Sequence, residues 1–257
     1  MKLDTIELNK KNNIAIIKLN RPKLLNAVNE QLVWDFQKAT EDVKDDIDIK
    51  VVILTGSGRG FSAGADLSER KASWEGSKDA LIRGYKPFFE NIINMPKPVI
   101  GSIAGPAAGI GAAIAMSCDL RVMSEDSYIL SVFSNIALVP DGGLSWYLPK
   151  YMGFSKAYEH AIEAKKITAK DCLKYGIANK VVPLEELESK TIDWAEKLAK
   201  RSSQSLNHTK RLMRESLHLS YWETFHNEAE IQNELTVSSQ NREAVKAFFE
   251  KREPNFD

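Results

Sequence analysis

The chain has 257 residues, 43% of them hydrophobic, with 35 basic and 35 acidic side chains. This length allows one sizeable core with a small appended module. The zero formal charge argues against nucleic-acid binding, which normally needs a basic excess. The two cysteines, Cys118 and Cys172, have neither metal-ligand spacing nor the density of a disulfide scaffold, so we expect reduced, buried thiols.

No membrane segment or export signal is predicted. Residues 1–7 alternate polar and apolar side chains and lack the apolar core of a signal peptide. The uncharged stretch 98–118 is long enough to cross a bilayer, but glycines and a proline interrupt it. We therefore expect a cytoplasmic protein without a membrane partner.

The first elements in chain order are a hairpin and a helix. Alternating runs at 4–8 and 14–19 predict two paired strands. Asn29 is a typical N-cap, and an apolar face beginning at Leu32 predicts the helix that follows. Further elements are predicted in this order: a doubly covered strand at 51–54, a helical stretch at 79–93, a strand at 98–103, a helix at 111–117, and short strands at 120–123 and 128–130.

Strand, strand and helix recur at intervals of about 40–50 residues, which is typical of stacked β-β-α units that bury their apolar faces against each other. After Ser145 the pattern predicts an almost entirely helical chain, with amphipathic helices near 185–200, 203–218, 222–237 and 241–251. We divide the chain into a core at 1–199 and a helical region at 200–257. Such a tail often packs on a neighbouring subunit, so we expect a homo-oligomer.

The first glycine-rich loop, residues 55–67, allows three interpretations. The dinucleotide fingerprint fails, because Phe61 or Ala63 stands where the third glycine belongs. The stretch Gly60-Phe61-Ser62-Ala63-Gly64 matches the nucleophile elbow of serine hydrolases, but the preceding strand ends too early and the histidines all lie in the helical half. In the third interpretation, small residues let the backbone approach a ligand and direct an N–H group at it.

The second glycine-rich loop, residues 105–113, leads directly into an apolar helix. Small residues here allow tight packing of helix on strand. They also allow the N–H groups of a helix N-terminus to face a developing negative charge. Two such loops, each after a buried strand, could supply the two donors of an oxyanion hole.

Taken together, these segments resemble the crotonase (enoyl-CoA hydratase/isomerase) family. The matching pieces are residues 20–22 with 26–27, 60–67, 97–100 with 105–111, 118–121, 139–143 and 249–252. They occur in the family's order and span nearly the whole chain.

The resemblance implies an α/β fold, a crotonase-type spiral of repeated ββα units with a helical C-terminal trimerisation region. It implies homotrimers or dimers of trimers, an acyl-CoA substrate, no metal and no cofactor beyond the coenzyme A of the substrate. It places the oxyanion N–H groups at Ala65 and Ile110. The CoA contacts that it suggests are Lys23, Leu25, Ala63, Asp66 and Leu67, with Lys251, and Phe248 as a second candidate, from a neighbouring subunit.

The two glutamates that hydratases of this family share for water addition are absent. By the resemblance, they should stand at Ala113 and Phe133, and neither side chain can carry a proton. The loss of general acid–base catalysis costs about 10²–10⁴-fold in rate. Hydration of the usual kind is therefore not expected.

One carboxylate remains, at Asp141. It precedes a predicted helix, so it could simply be a capping residue. Enoyl-CoA isomerases, and the similar ring-opening isomerases of epoxyphenylacetyl-CoA, carry a carboxylate here. A single acid suffices for a proton shift, and an apolar pocket with residues such as Phe133 and Trp146 would raise its pKa.

The sequence thus favours an acyl-CoA isomerase that shifts a double bond or opens a ring, with Asp141 as acid and base. Two alternatives stay open: a hydratase that uses Asp141 in an unusual way, and a catalytically silent binding or assembly subunit.

Overall fold

The computed structural model describes residues 3–69 and 72–256 of the chain. Its strands are β1 Ile6–Lys11, β2 Ile14–Leu19, β3 Val51–Gly56, β4 Val99–Ile103, β5 Pro106–Ala108, β6 Leu120–Ser124, β7 Tyr128–Leu130, β8 Lys166–Thr168 and β9 Lys180–Val182. Its α-helices are α1 Glu30–Asp45, α2 Ser77–Asp79, α3 Lys86–Asn94, α4 Ile110–Ser117, α5 Leu144–Met152, α6 Phe154–Ile162, α7 Ala169–Lys174, α8 Leu187–Ala199, α9 Ser203–Glu215, α10 Tyr221–Thr236 and α11 Ser239–Glu250.

Two sheets organise these elements. The larger has the order β1-β2-β3-β4-β6-β9 and is parallel except for the antiparallel hairpin β1-β2. The smaller sheet has the order β5-β7-β8. Two isolated parallel bridges, Val28↔Ala65 and Ser62↔Ala107, pair extended segments of the glycine-rich loops with their neighbours in the chain's spiral. Successive turns of the chain therefore add one strand to the large sheet and a short extended segment beside the small one. This is the predicted β-β-α spiral.

The apolar run of β3 is explained by the layers on both faces of the large sheet. Val52 and Leu54 join the main core, where α1, α3 and α4 pack. Val51 and Ile53 point the other way, into a second core with Leu187 and other residues of α8. Successive strand residues face opposite sides, so a strand covered on both faces has no polar positions.

The predicted start of α1 is confirmed. The Asn29 side chain accepts a hydrogen bond from the Leu32 amide at 3.1 Å, as an N-cap should. The predicted apolar face is buried, from Leu32 through Phe36 to Val43.

Some predicted elements have different bounds. β1 begins later than expected and runs to Lys11, because Asn12 and Asn13 take left-handed backbone angles and close a tight turn. The predicted helix at 79–93 contains a π-helical turn, Ala80–Tyr85, before α3. Gly84 lies in this turn under the Trp74 ring, where a β-carbon would come within 2.7 Å of it.

The prediction of an almost entirely helical chain after Ser145 is wrong at two places. β8 adds an antiparallel strand to the small sheet, and β9 extends the large sheet beside β6. Each strand has three residues, too few for a period to be visible in the sequence.

The C-terminal helices α9, α10 and α11 expose large apolar side chains, among them Trp222 and Phe249. Exposed apolar surface of this kind is typical of an interaction site. The homo-oligomer and the division at residue 199 stay predictions. No helix within residues 3–69 and 72–256 is long and apolar enough to cross a membrane.

Candidate active site

Asn26 holds the first loop region together. Its amide nitrogen donates to the carbonyls of Ser57, Gly60 and Phe61 at 2.9, 2.8 and 3.2 Å, and its Oδ1 accepts from the Arg21 amide at 2.9 Å. The residue is buried and has a left-handed φ of 55°, which asparagine tolerates better than most residues. Asn26 therefore fixes the segment after β2 against the glycine-rich loop after β3.

Asp66 is occupied by structural bonds. Its carboxylate accepts from Arg21 Nη2 at 2.9 Å and from the Ser68 hydroxyl at 2.6 Å. These bonds, the Ser68 bond first and then the one to Arg21, hold the pKa of Asp66 below its ordinary value. The Asp66 amide donates to the carbonyl of Val28. The side chain of Asp66 therefore stabilises the loop and is a poor candidate for proton transfer.

The two glycine-rich loops lie side by side. Ser62 and Ala107 form a parallel bridge, and the Ala108 amide donates to the Ser62 carbonyl at 2.9 Å. Two residues further along both loops, Gly64 and Gly109 have positive φ values of 99° and 52°, and a β-carbon on Gly109 would stand 3.7 Å from the Gly64 α-carbon. This close approach requires the absence of side chains.

Ala65 and Ile110 follow these two glycines directly, so the structure brings the two predicted oxyanion residues onto adjacent loops. Within the described residues, neither backbone N–H group donates to a protein acceptor. Ile110 opens α4, and the first amides of a helix have no partner inside it and carry the positive end of its dipole. Both donors are therefore available to a bound anion or carbonyl oxygen.

Asp141 lies between the 3-10 turn Phe133–Ile136 and α5, and it does not cap that helix. The N-cap position of α5 is Gly143, which makes no side-chain capping bond. The Oδ1 atom of Asp141 is buried and, within the described residues, has no hydrogen-bond partner. Burial raises the pKa of Asp141 to about 6. A carboxyl group left without a partner in this way is typical of a functional site.

Gly142 connects Asp141 to the second loop. It has a φ of 59°, and a β-carbon at this position would come within 2.5 Å of the Ala113 methyl group and 2.8 Å of Ile110 Cδ1. The backbone next to Asp141 therefore lies directly on the first turn of α4. The predicted acid and the predicted oxyanion donor Ile110 are thus neighbours.

Ala113 and Phe133, where the resemblance would place the two glutamates of a hydratase, are both buried and apolar. Ala113 lies inside α4 and Phe133 begins the 3-10 turn, with its ring about 4.0 Å from a β-carbon placed on Gly109. Neither side chain can move a proton.

A cavity of about 590 Å³ opens beside Asp141. Its lining residues come from three separate stretches of the chain: Leu81, Ile82, Tyr85, Lys86, Phe89, Ile93, Asp141, Gly142, Gly143, Trp146, Tyr147, Arg214 and His218. Asp141 is the only carboxylate among the described residues that line it. The Trp146 ring is part of the wall, as expected, whereas Phe133 packs on the second loop and is not among these residues.

The predicted CoA contacts divide into two places. Lys23 lies in the 3-10 turn Pro22–Leu24, the Leu25 carbonyl accepts from the Ala63 amide at 2.9 Å, and Leu67 is 70% exposed. These residues and Asp66 lie together around the first loop. Lys251 is the C-cap residue after α11, and in the segment that follows it the Phe256 carbonyl accepts a hydrogen bond from Lys50 at 3.4 Å.

Lys50 precedes β3, whereas the first loop follows the other end of that strand. Within one protomer the structure therefore does not bring Lys251 to the loop. A contact from Lys251 of a neighbouring subunit stays a prediction.

Ser62 is not an exposed nucleophile. It is fully buried, its hydroxyl donates to the Asn26 carbonyl at 2.9 Å, and it fits against Gly111, where any side chain would collide with it. The hydrolase interpretation needs an accessible hydroxyl beside a histidine. It is therefore wrong.

Most of the other cavity residues were not predicted from the sequence, and Tyr85 and Arg214 are two examples. Tyr85 lies in the π-helical turn and Arg214 in α9, far from any recognisable motif. No local signal could have found them, because only the tertiary fold brings α9 to the wall beside Asp141.

Comparisons with known proteins identify the family. The family model described as enoyl-CoA hydratase/isomerase matches residues 9–257. The chain belongs to this family, the crotonase family. A probable enoyl-CoA hydratase from Rhodobacter capsulatus is 31% identical over 256 residues, covering 100% of this chain and 99% of that protein. The 1,2-epoxyphenylacetyl-CoA isomerase of Escherichia coli is 30% identical over 251 residues, covering 95% and 94%.

The crotonase fold is confirmed by solved structures. An enoyl-CoA hydratase subunit from Geobacillus kaustophilus superposes with a TM-score of 0.93 at 29% identity, covering 100% of this chain and 99% of that one. A hydratase and an isomerase are about equally similar in sequence, so identity alone does not choose between the two reactions. The residues of the site have to decide it.

Proposed function

We propose that this crotonase-family enzyme is an acyl-CoA isomerase that shifts a double bond, or opens a ring, through an enolate, with Asp141 as acid and base. One observation carries the proposal: Asp141 is the only carboxylate among the described residues of the cavity, and its Oδ1 is buried without a partner. Ala113 and Phe133 provide no second acid. A proton shift needs one acid–base group, whereas the usual hydration uses two.

The reaction begins with the thioester oxygen bound by the N–H groups of Ala65 and Ile110. Asp141 removes a proton from C2 of a 3-enoyl thioester, and the electron pair moves onto the carbonyl oxygen as an enolate. The two amides stabilise this oxyanion, and each of them raises the rate by about 10²–10³-fold. Asp141 then returns the proton at C4, the double bond forms between C2 and C3, and no water is consumed.

The pKa of Asp141 suits both steps. At about 6, it leaves the carboxylate mostly ionised at neutral pH and ready to accept a proton. A base whose pKa is near the working pH is also a competent acid when the proton has to be returned. The buried, apolar surroundings that raise the pKa also keep water from the enolate.

Coenzyme A would lie along the first loop. We propose contacts from Lys23, Leu25 and the backbone of Ala63, Asp66 and Leu67, with Lys251 from a neighbouring subunit of a homotrimer or dimer of trimers. The exposed position of Leu67 and the exposed apolar surface of α9 to α11 support these two parts of the proposal.

Enoyl-CoA hydration is the second candidate, because the probable hydratase of Rhodobacter capsulatus is 31% identical over the full chain. In that reaction Asp141 alone would activate water and supply the proton. The two candidates differ in the substrate that they consume and in the product that they form.

Incubation of the purified protein with 3-enoyl-CoA and, separately, with 2-enoyl-CoA distinguishes them. The proposal predicts 2-enoyl-CoA from the first substrate, measured by the ultraviolet absorbance of the conjugated thioester. It predicts no 3-hydroxyacyl-CoA from the second substrate, measured by mass spectrometry. Fast hydration of 2-enoyl-CoA without any shift of the 3-ene would overturn it. Binding of both thioesters without turnover would instead support a silent binding subunit.

A further inference from the structure

Arg214 places a cation in the wall of the acyl cavity. The residue lies on α9, its side chain is 23% exposed, and it lines the same cavity as Asp141. Much of the remaining wall is apolar, with Phe89, Ile93 and Trp146. Two further basic residues line it, His218 and Lys86, and Lys86 already pairs with Glu90. A purely hydrocarbon acyl group has no use for a guanidinium group here.

The cation belongs to a cluster with excess positive charge. Asp119 is the only acid that bonds to the cluster within the described residues, and it bridges Lys210 Nζ at 2.8 Å and Arg214 Nη2 at 2.6 Å. Arg121 lies nearby, fully buried, and bonds to carbonyls at the end of α4. The partial negative charge of that helix end offsets only part of the excess. Buried uncompensated charge is costly, and a bound anion would reduce this cost.

Arg214 also keeps donors free. Its bonds to Asp119 Oδ1 and to the Ser117 carbonyl both use Nη2. The Tyr147 hydroxyl is a third hydrogen-bond partner of the guanidinium group. A guanidinium group has five N–H donors, so these three partners leave two N–H groups for the oxygens of a carboxylate.

The cation does not engage the catalytic acid. Among the described residues, no ion pair or hydrogen bond joins the Arg214 guanidinium group to the Asp141 carboxylate. A group bound by Arg214 would therefore leave Asp141 free to exchange the proton.

We infer that the acyl group of the substrate ends in a carboxylate that Arg214 binds, so that the preferred ligand is the mono-CoA thioester of a dicarboxylic acid. This inference deepens the proposed function and rests on it only in taking the cavity beside Asp141 as the acyl site.

The test uses saturated acyl-CoA thioesters, which cannot be isomerised, in pairs of equal chain length that end in a carboxylate or in a methyl group. Calorimetry on the wild-type protein over several chain lengths should find at least one pair in which the carboxylate-ended ligand binds about tenfold more tightly. Arg214→Gln should abolish this preference and leave the affinity for the methyl-ended ligand unchanged. Arg214→Lys should retain part of it.

Arg211→Gln is the matched control, because Arg211 lies on the same helix, is exposed and pairs with Glu215 away from the cavity. It should keep the full preference. Equal or tighter binding of every methyl-ended ligand to the wild-type protein would overturn the inference, as would a preference that survives in folded Arg214→Gln. The comparison on the wild-type protein needs no variant and no turnover, so its failure is distinct from a failure of the isomerase proposal.

Discussion

Gly142 packs directly on the methyl group of Ala113, and there is no room between them for a side chain on residue 142. This contact sets the distance between the segment that carries Asp141 and the first turn of α4, where Ile110 offers its amide. An alanine at 113 and a glycine at 142 therefore form a matched pair. The same contact places the segment of Asp141 beside Ile110, whose amide is the proposed oxyanion donor.

Gly142→Ala should reduce both stability and activity. The added methyl group meets Ala113 at 2.5 Å, and the φ of 59° strains any side chain. The backbone strain should lower the free energy of unfolding by about 1 kcal/mol or more, and the overpacking should lower it further, by about 1–3 kcal/mol. Gly176→Ala is the control, because its φ of 74° imposes similar strain, but nothing lies within 4 Å. Chemical denaturation should rank Gly142→Ala as the less stable variant, and equal losses would contradict the packing account.

Asp141→Asn should lower the isomerase kcat by about 10²–10⁴-fold, because an amide cannot accept the proton from C2. Ser62→Ala should keep activity within about tenfold, since the Ser62 hydroxyl is buried and bonds to the Asn26 carbonyl. Initial rates with 3-enoyl-CoA measure both variants. An active Asp141→Asn enzyme would exclude the carboxylate as the base.

Isomerase activity should depend on the ionisation of Asp141. With its pKa raised by burial to about 6, the base form is lost as the pH falls below this value. A plot of kcat/KM against pH should therefore fall about tenfold for each pH unit below about 6 and level off above it. A profile that stays flat down to pH about 4 would show that a carboxylate of ordinary pKa, or no carboxylate, limits the rate.

Asp141→Asn should also make the folded protein more stable at pH 8. In the wild-type protein, folding disfavours the ionised form of Asp141, which lowers the free energy of unfolding. This loss of stability is absent below pH 3.8, grows as the pH rises and is complete above about 6. The raised pKa corresponds to up to about 3 kcal/mol, which partial exposure of the carboxyl group reduces to about 1–2 kcal/mol. Urea denaturation should find this gain at pH 8 and its disappearance near pH 4. A variant that is less stable at pH 8 would contradict the assignment of a buried, unpaired acid.

The sequence predicted best those features that depend on local patterns. The Asn29 cap, the apolar face after Leu32 and the doubly covered strand β3 are all readable from residue type and period. The adjacency of Ala65 and Ile110 follows from a loop pairing that small residues permit. These features depend on neighbours in sequence or on a repeated unit.

The missed features depend on contacts between distant parts of the chain. The π-helical turn forms where Gly84 meets Trp74, and β8 and β9 are too short to have a period. Arg214 reaches the cavity only because α9 packs against the core through Asp119. Such contacts leave no mark in the local sequence.

The central claim is that one carboxylate carries a proton between two carbons. The most direct measurement uses 3-enoyl-CoA deuterated at C2, in ordinary water, with the early product analysed by nuclear magnetic resonance. We expect part of the deuterium at C4 of the 2-enoyl-CoA product, and no product above background from Asp141→Asn. A wild-type product without deuterium at C4 from the earliest turnovers, or a product that has gained oxygen from water, would contradict the account.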